Sequence, residues 1–174
     1  MSRAGFRASK GNQLFEKKLM IGLKSLLYLL FEAGLFALYI PLAHLRTGPK
    51  IETGVFSFLA FPLWFLGGWI ILQCFWDFTM QGRGTPLPAD PPRKLIISGF
   101  YRYVRNPIYV GVSSIFLGHF FWFGYWALLI YTVFAFIGVH SFVVFYEEPT
   151  LKRKFGAAYV EYLKRVPRWL PKFK

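Results

Sequence analysis

Acidic residues are scarce in this chain. Eight Asp and Glu stand against 21 Lys and Arg among 174 residues, a formal net charge of +13. Charge of either sign is thin as well, at 17%, whereas hydrophobic residues make up 55% and aromatic residues 21%. A soluble domain of this size buries only about two-thirds of its chain surface, so it could not hide that much apolar surface. Long apolar runs account for the excess, which points to an integral membrane protein. Cysteine is nearly absent: Cys74 alone excludes an intrachain disulfide, and its place inside an apolar run suits a small core residue. Only three histidines occur, and no His/Cys/Asp cluster has metal-ligand spacing, so no metal is expected. The basic residues carry no nucleic-acid reading motif, so no nucleic-acid partner is expected either. No strand followed by GxGxxG is present. Gly82-Arg-Gly84 follows an apolar run and is not that soluble dinucleotide fingerprint.

What is present is a series of apolar runs. Leu19 to Leu45 is the first and Val55 to Phe78 the second, while the stretch Ile108 to Tyr146 is too long for one span of about 20 residues and long enough for two. It divides near His119-Phe-Phe-Trp-Phe-Gly-Tyr-Trp126, whose aromatics and Gly124 suit an interfacial turn. The fold class expected is all-α: a polytopic membrane bundle of about four transmembrane helices in a single domain, residues 1–174. The first run is too long for a signal-peptide core and reads as a retained span, with Lys24 and Glu32 inside it. Basic residues concentrate in the N-terminal tail, in Arg83 to Arg105 and after Glu148, which places both termini on the cytoplasmic side. Glycines and prolines make 81–93 an irregular loop. Leu151, Phe155, Tyr159 and Leu163 recur at helical spacing and predict an amphipathic C-terminal helix ended by Pro167, with Arg168-Trp-Leu-Pro171 as a further interfacial anchor. His44 and His119 sit at run ends and read as interfacial.

Two constellations carry possible chemistry. The first is Arg102-Tyr-Val-Arg-Asn-Pro-Ile-Tyr-Val-Gly111. Asn106 and Pro107 read as an N-cap with proline at the first helical position, and Arg102 and Arg105 add charge to the positive end of the helix dipole. That is a site for a carboxylate or phosphate, or alternatively an anchor to lipid head groups. The second is Tyr146-Glu-Glu-Pro149, where Glu147 and Glu148 could accept from ribose hydroxyls and attract a sulfonium or ammonium centre, or simply pair with nearby cations. His140, seven residues before Glu147, could line the same cavity or bond a neighbouring helix. Glu32 and Asp77 are further ionisable groups within or near the runs. Together the two constellations suit a zwitterionic amino acid, a ribose, a base and a sulfonium, the parts of S-adenosylmethionine.

Gly82-Arg-Gly-Thr-Pro86, Asp90-Pro-Pro, Gly99 to Gly111, Tyr146-Glu-Glu-Pro149 and a tail with Phe155, Tyr159, Tyr162 and Val166-Pro-Arg168 resemble the integral membrane isoprenylcysteine carboxyl methyltransferases and phospholipid (phosphatidylethanolamine) N-methyltransferases. The resemblance implies an S-adenosylmethionine-dependent methyltransferase, with S-adenosylhomocysteine as product and residues 79–174 as the cofactor half. It implies one wall from Arg105, Asn106, Pro107, Tyr109 and Gly111, with Glu147 and Glu148 opposite; Arg102 and His140, from the reading of the residues above, are further candidate cofactor-binding residues. Gly82 and Gly84 would let the loop approach the cofactor, and Tyr159, Tyr162, Arg165 and Arg168 would close the pocket. Arg105, Asn106, Tyr109 and Glu148 would be the catalytic set. Family members often carry histidine where this chain has Asn106, which can hydrogen-bond but cannot take up a proton. The acceptor implied is a membrane lipid or a prenylated substrate entering from the bilayer, with a phospholipid amine ahead of an isoprenylcysteine carboxylate. Two readings of another kind are a dinucleotide-dependent membrane reductase and a non-catalytic membrane subunit.

Overall fold

The computed structural model describes residues 48–82 and 94–171, together with scattered positions between Glu16 and His44. The expected first span with Lys24 and Glu32, the loop 83–93 and Gly84 lie outside the described residues. Among the latter, a short helix α1 (Ile40–His44) precedes five longer ones: α2 (Ala60–Asp77), α3 (Pro107–Phe123), α4 (Trp126–Phe142), α5 (Glu148–Phe155) and α6 (Ala157–Arg165). The all-α reading holds, and the described residues contain no named strand.

Hydrophobic runs set the helix lengths. A 3-10 turn, Gly54–Leu59, leads into α2 and a π-turn, Phe78–Gly82, follows it, so that Gly54–Met80 forms one apolar helix of 27 residues. At 1.5 Å per residue that exceeds the roughly 30 Å of bilayer hydrocarbon. Pro62 falls in the first turn of α2, just after the 3-10 turn hands over to the α-helix. Its outer face is apolar, with Phe65 76% and Trp76 60% exposed. Such a surface is stable only where lipid is the solvent.

The α2–α3 contact rests on small residues. α2 presents Ala60, Gly67 and Cys74, all buried, at intervals of seven. α3 presents Gly111 and Gly118 toward them. A Cβ on Gly67 would lie 2.5 Å from the Gly111 carbonyl oxygen, so the two backbones touch there. Close approach of this kind replaces the hydrophobic drive that lipid cannot supply between helices.

The expected hairpin is present and its turn is at Gly124. This residue has φ +73, which favours glycine, and its N–H donates to the Phe120 carbonyl at 2.8 Å, ending α3. Its carbonyl accepts from Ile51 N–H at 2.7 Å, tying the segment before α2 to the same end of the bundle. His119, expected at the interface, is instead buried within α3, where its Nδ1 accepts from the Trp64 indole N–H at 2.9 Å. The helix runs one turn further than the aromatic cluster suggests, so the aromatics from 119 to 122 belong to α3.

The far end of the hairpin departs more from expectation. α4 does not stop before the glutamate pair. It passes through a π-turn, Val143–Glu147, directly into α5, making one apolar rod from Trp126 to Phe155. Pro149 is tolerated because the widened turn before it leaves its position without need of an N–H donor. The single amphipathic helix expected after Glu148 is two helices, broken at Gly156, whose φ +57 and ψ −131 suit glycine. The break folds α6 back, so Tyr159, Tyr162 and Val166 form a small core with Leu95, Leu151 and Phe155. The apolar face of α6 is therefore spent on the protein itself.

Candidate active site

The start of α3, the π-turn of the α4–α5 rod and the segment after α6 meet at one end of the bundle. Asn106 occupies the position before α3 and Pro107 the first turn, as the sequence indicates. The Asn106 side chain does not cap the helix, however. Its amide donates to the Arg168 carbonyl at 3.2 Å, and the Arg105 N–H donates to the Pro167 carbonyl at 2.9 Å. The C-terminal segment 166–171 is thus strapped across the mouth of α3.

Glu148 is the centre of the cluster. Its Oε1 accepts from Arg105 Nη1 at 2.8 Å, and Arg168 grips both oxygens, Nε to Oε1 at 2.8 Å and Nη2 to Oε2 at 2.9 Å. The Arg105 and Glu148 side chains are only 12% and 15% exposed, so this pairing works in a low dielectric. The Glu148 carboxylate beside it holds the Arg168 guanidinium still more firmly in its charged form. Glu147 sits one residue earlier on the π-turn and accepts from the Tyr109 hydroxyl at 3.3 Å. The two successive glutamates thus meet different partners, Glu147 at the end of the π-turn and Glu148 at the start of α5. The Arg105 Nε is buried and has no acceptor among the described residues.

Of the residues expected in the site, Arg105, Asn106, Tyr109, Glu147 and Glu148 come together, with Pro107 buried beneath them. Others do not join them. Gly111 is turned toward α2, where a Cβ would meet the Gly67 carbonyl oxygen at 2.9 Å, a helix-crossing role. His140 accepts through Nδ1 from the Trp169 indole N–H at 3.0 Å, so it holds the strap. Tyr162 is buried in the α6 core, and its hydroxyl donates to the Tyr101 carbonyl at 2.7 Å, whereas Tyr159, buried in the same core, feels the charges of Glu148, Arg105, Glu147 and Arg168 and so borders the cluster. Burial pushes both phenols well above the usual tyrosine range. Arg165 is exposed and pairs with Glu161 at 3.0 Å, away from the pocket it was expected to close. Arg102 is exposed outside the cluster, and Gly82 closes the π-turn after α2. Trp169 is the member that sequence reasoning took for a membrane anchor. The only signal for it was its place beside Arg168 in the Val166-Pro-Arg-Trp169 motif.

An apolar helical bundle with a carboxylate–guanidinium cluster at one end defines the class as an all-α membrane protein. The chain belongs to the phospholipid methyltransferase family, whose profile matches residues 52–158, more than half of its length. The matched region includes Arg105, Asn106, Tyr109, Glu147 and Glu148 but ends before Arg168 and Trp169. It is therefore a membrane methyltransferase by family. No curated protein matches the sequence.

Proposed function

We propose that the protein transfers a methyl group from S-adenosylmethionine to a membrane lipid, with a phospholipid amine as the acceptor. The observation that carries the cofactor reading is the Arg105–Glu148–Arg168 cluster together with the buried Arg105 Nε. Two guanidinium groups match an amino-acid carboxylate, and the donor left over at Arg105 asks for one more acceptor. Glu147 and Glu148 match ribose hydroxyls and an ammonium group. The donor set therefore fits the cofactor. When bound, S-adenosylmethionine supplies a sulfonium methyl group that passes to a nucleophile in one in-line displacement.

The chain's own residues would then position and desolvate. Arg105 and Arg168 hold Glu148 in a fixed orientation, so the carboxylate needs no reorganisation when hydroxyls approach. The strap, tied to Arg105 and Asn106, keeps water from the mouth of α3. An ammonium acceptor must lose a proton before its nitrogen can attack, and Glu147, with Tyr109 donating to it, would be the group to receive it. An isoprenylcysteine carboxylate would need no base. The family description favours the phospholipid acceptor over it. The bundle would span the bilayer several times with this end on the cytoplasmic side, where the basic segments gather.

Calorimetric titration of detergent-purified protein with S-adenosylhomocysteine tests the reading. Micromolar binding, lost in Glu148→Ala and Arg105→Ala, is the expected result. A folded wild type that takes up none, with lipid restored, would return the cluster to a structural role and favour a non-catalytic subunit.

A further inference from the structure

Arg102 differs from Arg105 and Arg168. Arg105 and Arg168 are committed to Glu148. Arg102, on the turn Gly99–Arg102, is exposed and has no acceptor among the described residues. It lines a cleft of about 290 Å³ with Trp69 and Gln73 of α2 and with Gly99, Phe100 and Tyr103. A second cleft of about 290 Å³ adjoins it and shares Phe100 and Tyr103. Its other walls are Ile70, Val104, Pro107, Val110 and the strap residues Trp169 and Pro171, hydrocarbon and aromatic almost throughout.

The pair has the chemistry of an amphiphile. One cleft offers a planar guanidinium fork and a carboxamide, the natural partners of a phosphodiester. The other offers only apolar wall, fit for a chain or a glycerol backbone. Tyr103, 60% exposed, stands with Phe100 at the edge the two clefts share, while Trp69, 55% exposed, lines only the cleft of Arg102. The turn cannot easily be built otherwise. Gly99 has φ +56, and a Cβ there would collide with the Asp77 carboxylate, so the chain is pressed onto the end of α2 and Arg102 is delivered beside Gln73.

We infer that Arg102 and Gln73 bind the phosphate of the phospholipid acceptor, with its apolar portion in the adjoining cleft. This rests on the phospholipid reading above and assigns Arg102 to the acceptor instead of the cofactor. The rival source of phosphate is bulk lipid, to which an exposed arginine could simply anchor.

Full-length protein in micelles would be assayed with phosphatidylethanolamine and with a phosphate-free long-chain amine, for wild type, Arg102→Gln, Arg102→Lys and Gln73→Leu. S-Adenosylhomocysteine affinity would be measured beside them, and retention of short-chain phosphatidylethanolamine would be followed by native mass spectrometry without cofactor. Loss of a charge-assisted, two-pronged contact should raise KM for phosphatidylethanolamine about tenfold or more in Arg102→Gln. Arg102→Lys should recover part of this and Gln73→Leu should lose less. KM for the phosphate-free amine and affinity for S-adenosylhomocysteine should stay put, and Arg102→Gln should retain less lipid. Equal KM losses on both acceptors would mean bulk anchoring and overturn the inference. So would a parallel fall in S-adenosylhomocysteine affinity, which would return Arg102 to the cofactor site. Wild type that binds S-adenosylhomocysteine, with Arg102→Gln unchanged on every acceptor, sinks this site alone. Wild type that binds none sinks the methyltransferase reading first.

Discussion

The α2–α3 crossing and the mouth of α3 are held together by opposite means. Along the crossing, contact is made by what is missing: Gly67, Gly111 and Gly118 lack side chains, and the backbones meet. At the mouth, contact is made by charge, with Glu148 taking three donors from two arginines. The first arrangement is rigid and carries no chemistry. The second is rich in chemistry, and buried ion pairs add little stability over apolar packing. The contrast teaches that the crossing acts as a fixed frame, against which a polar cluster of low net worth to stability can be held in register.

The largest effect should come from breaking the mouth unevenly. Glu148→Ala leaves two arginines facing each other in a partly dry site and should cost about 3 kcal/mol of stability, because an uncompensated buried charge is worse than a lost pair. Thermal unfolding in detergent would register it. Arg105→Leu made together with Glu148→Leu should recover much of that stability, because the remaining Arg168 is 30% exposed and can reach water, while cofactor binding stays absent. If the double variant is no more stable than Glu148→Ala, the cluster contributes more to the fold than the comparison allows. The crossing should respond next. Gly67→Ala forces a Cβ against the Gly111 carbonyl and should cost about 2 kcal/mol, within the range for overpacked sites. Here the melting temperature should fall while S-adenosylhomocysteine affinity in the folded protein is kept. A selective loss of affinity with full stability would join the two regions that the comparison separates.

Much of this is legible in the sequence alone. Apolar run lengths gave α2 and the hairpin, and Gly124 gave its turn, because span length and glycine's left-handed backbone are local properties. The clustering of Arg105, Asn106, Tyr109, Glu147 and Glu148 followed from hairpin topology and from motif. Illegible from sequence were features set by more distant contacts. The interval of seven linking Ala60, Gly67 and Cys74 was in the chain, yet it identifies a crossing only once the opposing Gly111 is placed. Asn106 looks like a cap, but its amide finds the Arg168 carbonyl, 62 residues away in sequence. The π-turn at Val143–Glu147 has no composition signal, and it alone turns a helix end into a continuous rod with both glutamates inside.

The strap tests whether the mouth is held from outside the cluster. Trp169→Phe removes the indole N–H that meets His140 Nδ1 but keeps a ring against Phe136, whose centroid lies 4.9 Å from that of Trp169. One hydrogen bond is worth about 1 kcal/mol, so the strap should loosen without unfolding. Hydrogen exchange at the Arg105 amide, bonded to the Pro167 carbonyl, should quicken about fivefold, and S-adenosylhomocysteine affinity should fall by a similar factor. His140→Ala should do the same, and combining the two should add little, because they break one bond. Additive losses would mean that His140 also touches the ligand directly.

The smallest effect concerns the core beneath the strap. Tyr162 is buried, and its hydroxyl donates to the Tyr101 carbonyl, an interaction that exists only for the neutral phenol. Burial raises its folded pKa above the ordinary tyrosine value of about 10. A group raised in the folded state contributes its full stabilisation below the unfolded pKa and loses it as pH climbs through the folded one. Between pH 7 and 9 the melting temperature should therefore be insensitive to this residue, and the decline should begin above about pH 10. Tyr162→Phe should cost about 1 kcal/mol at neutral pH and flatten part of the alkaline decline. An unchanged alkaline slope in Tyr162→Phe would assign the decline to the other buried phenol of α6, Tyr159, whose ionisation is opposed first by burial and then by the negative charge of Glu148. The α6 core would then be coupled electrostatically to the same carboxylate that organises the mouth, and the separation between frame and cluster would end at α6.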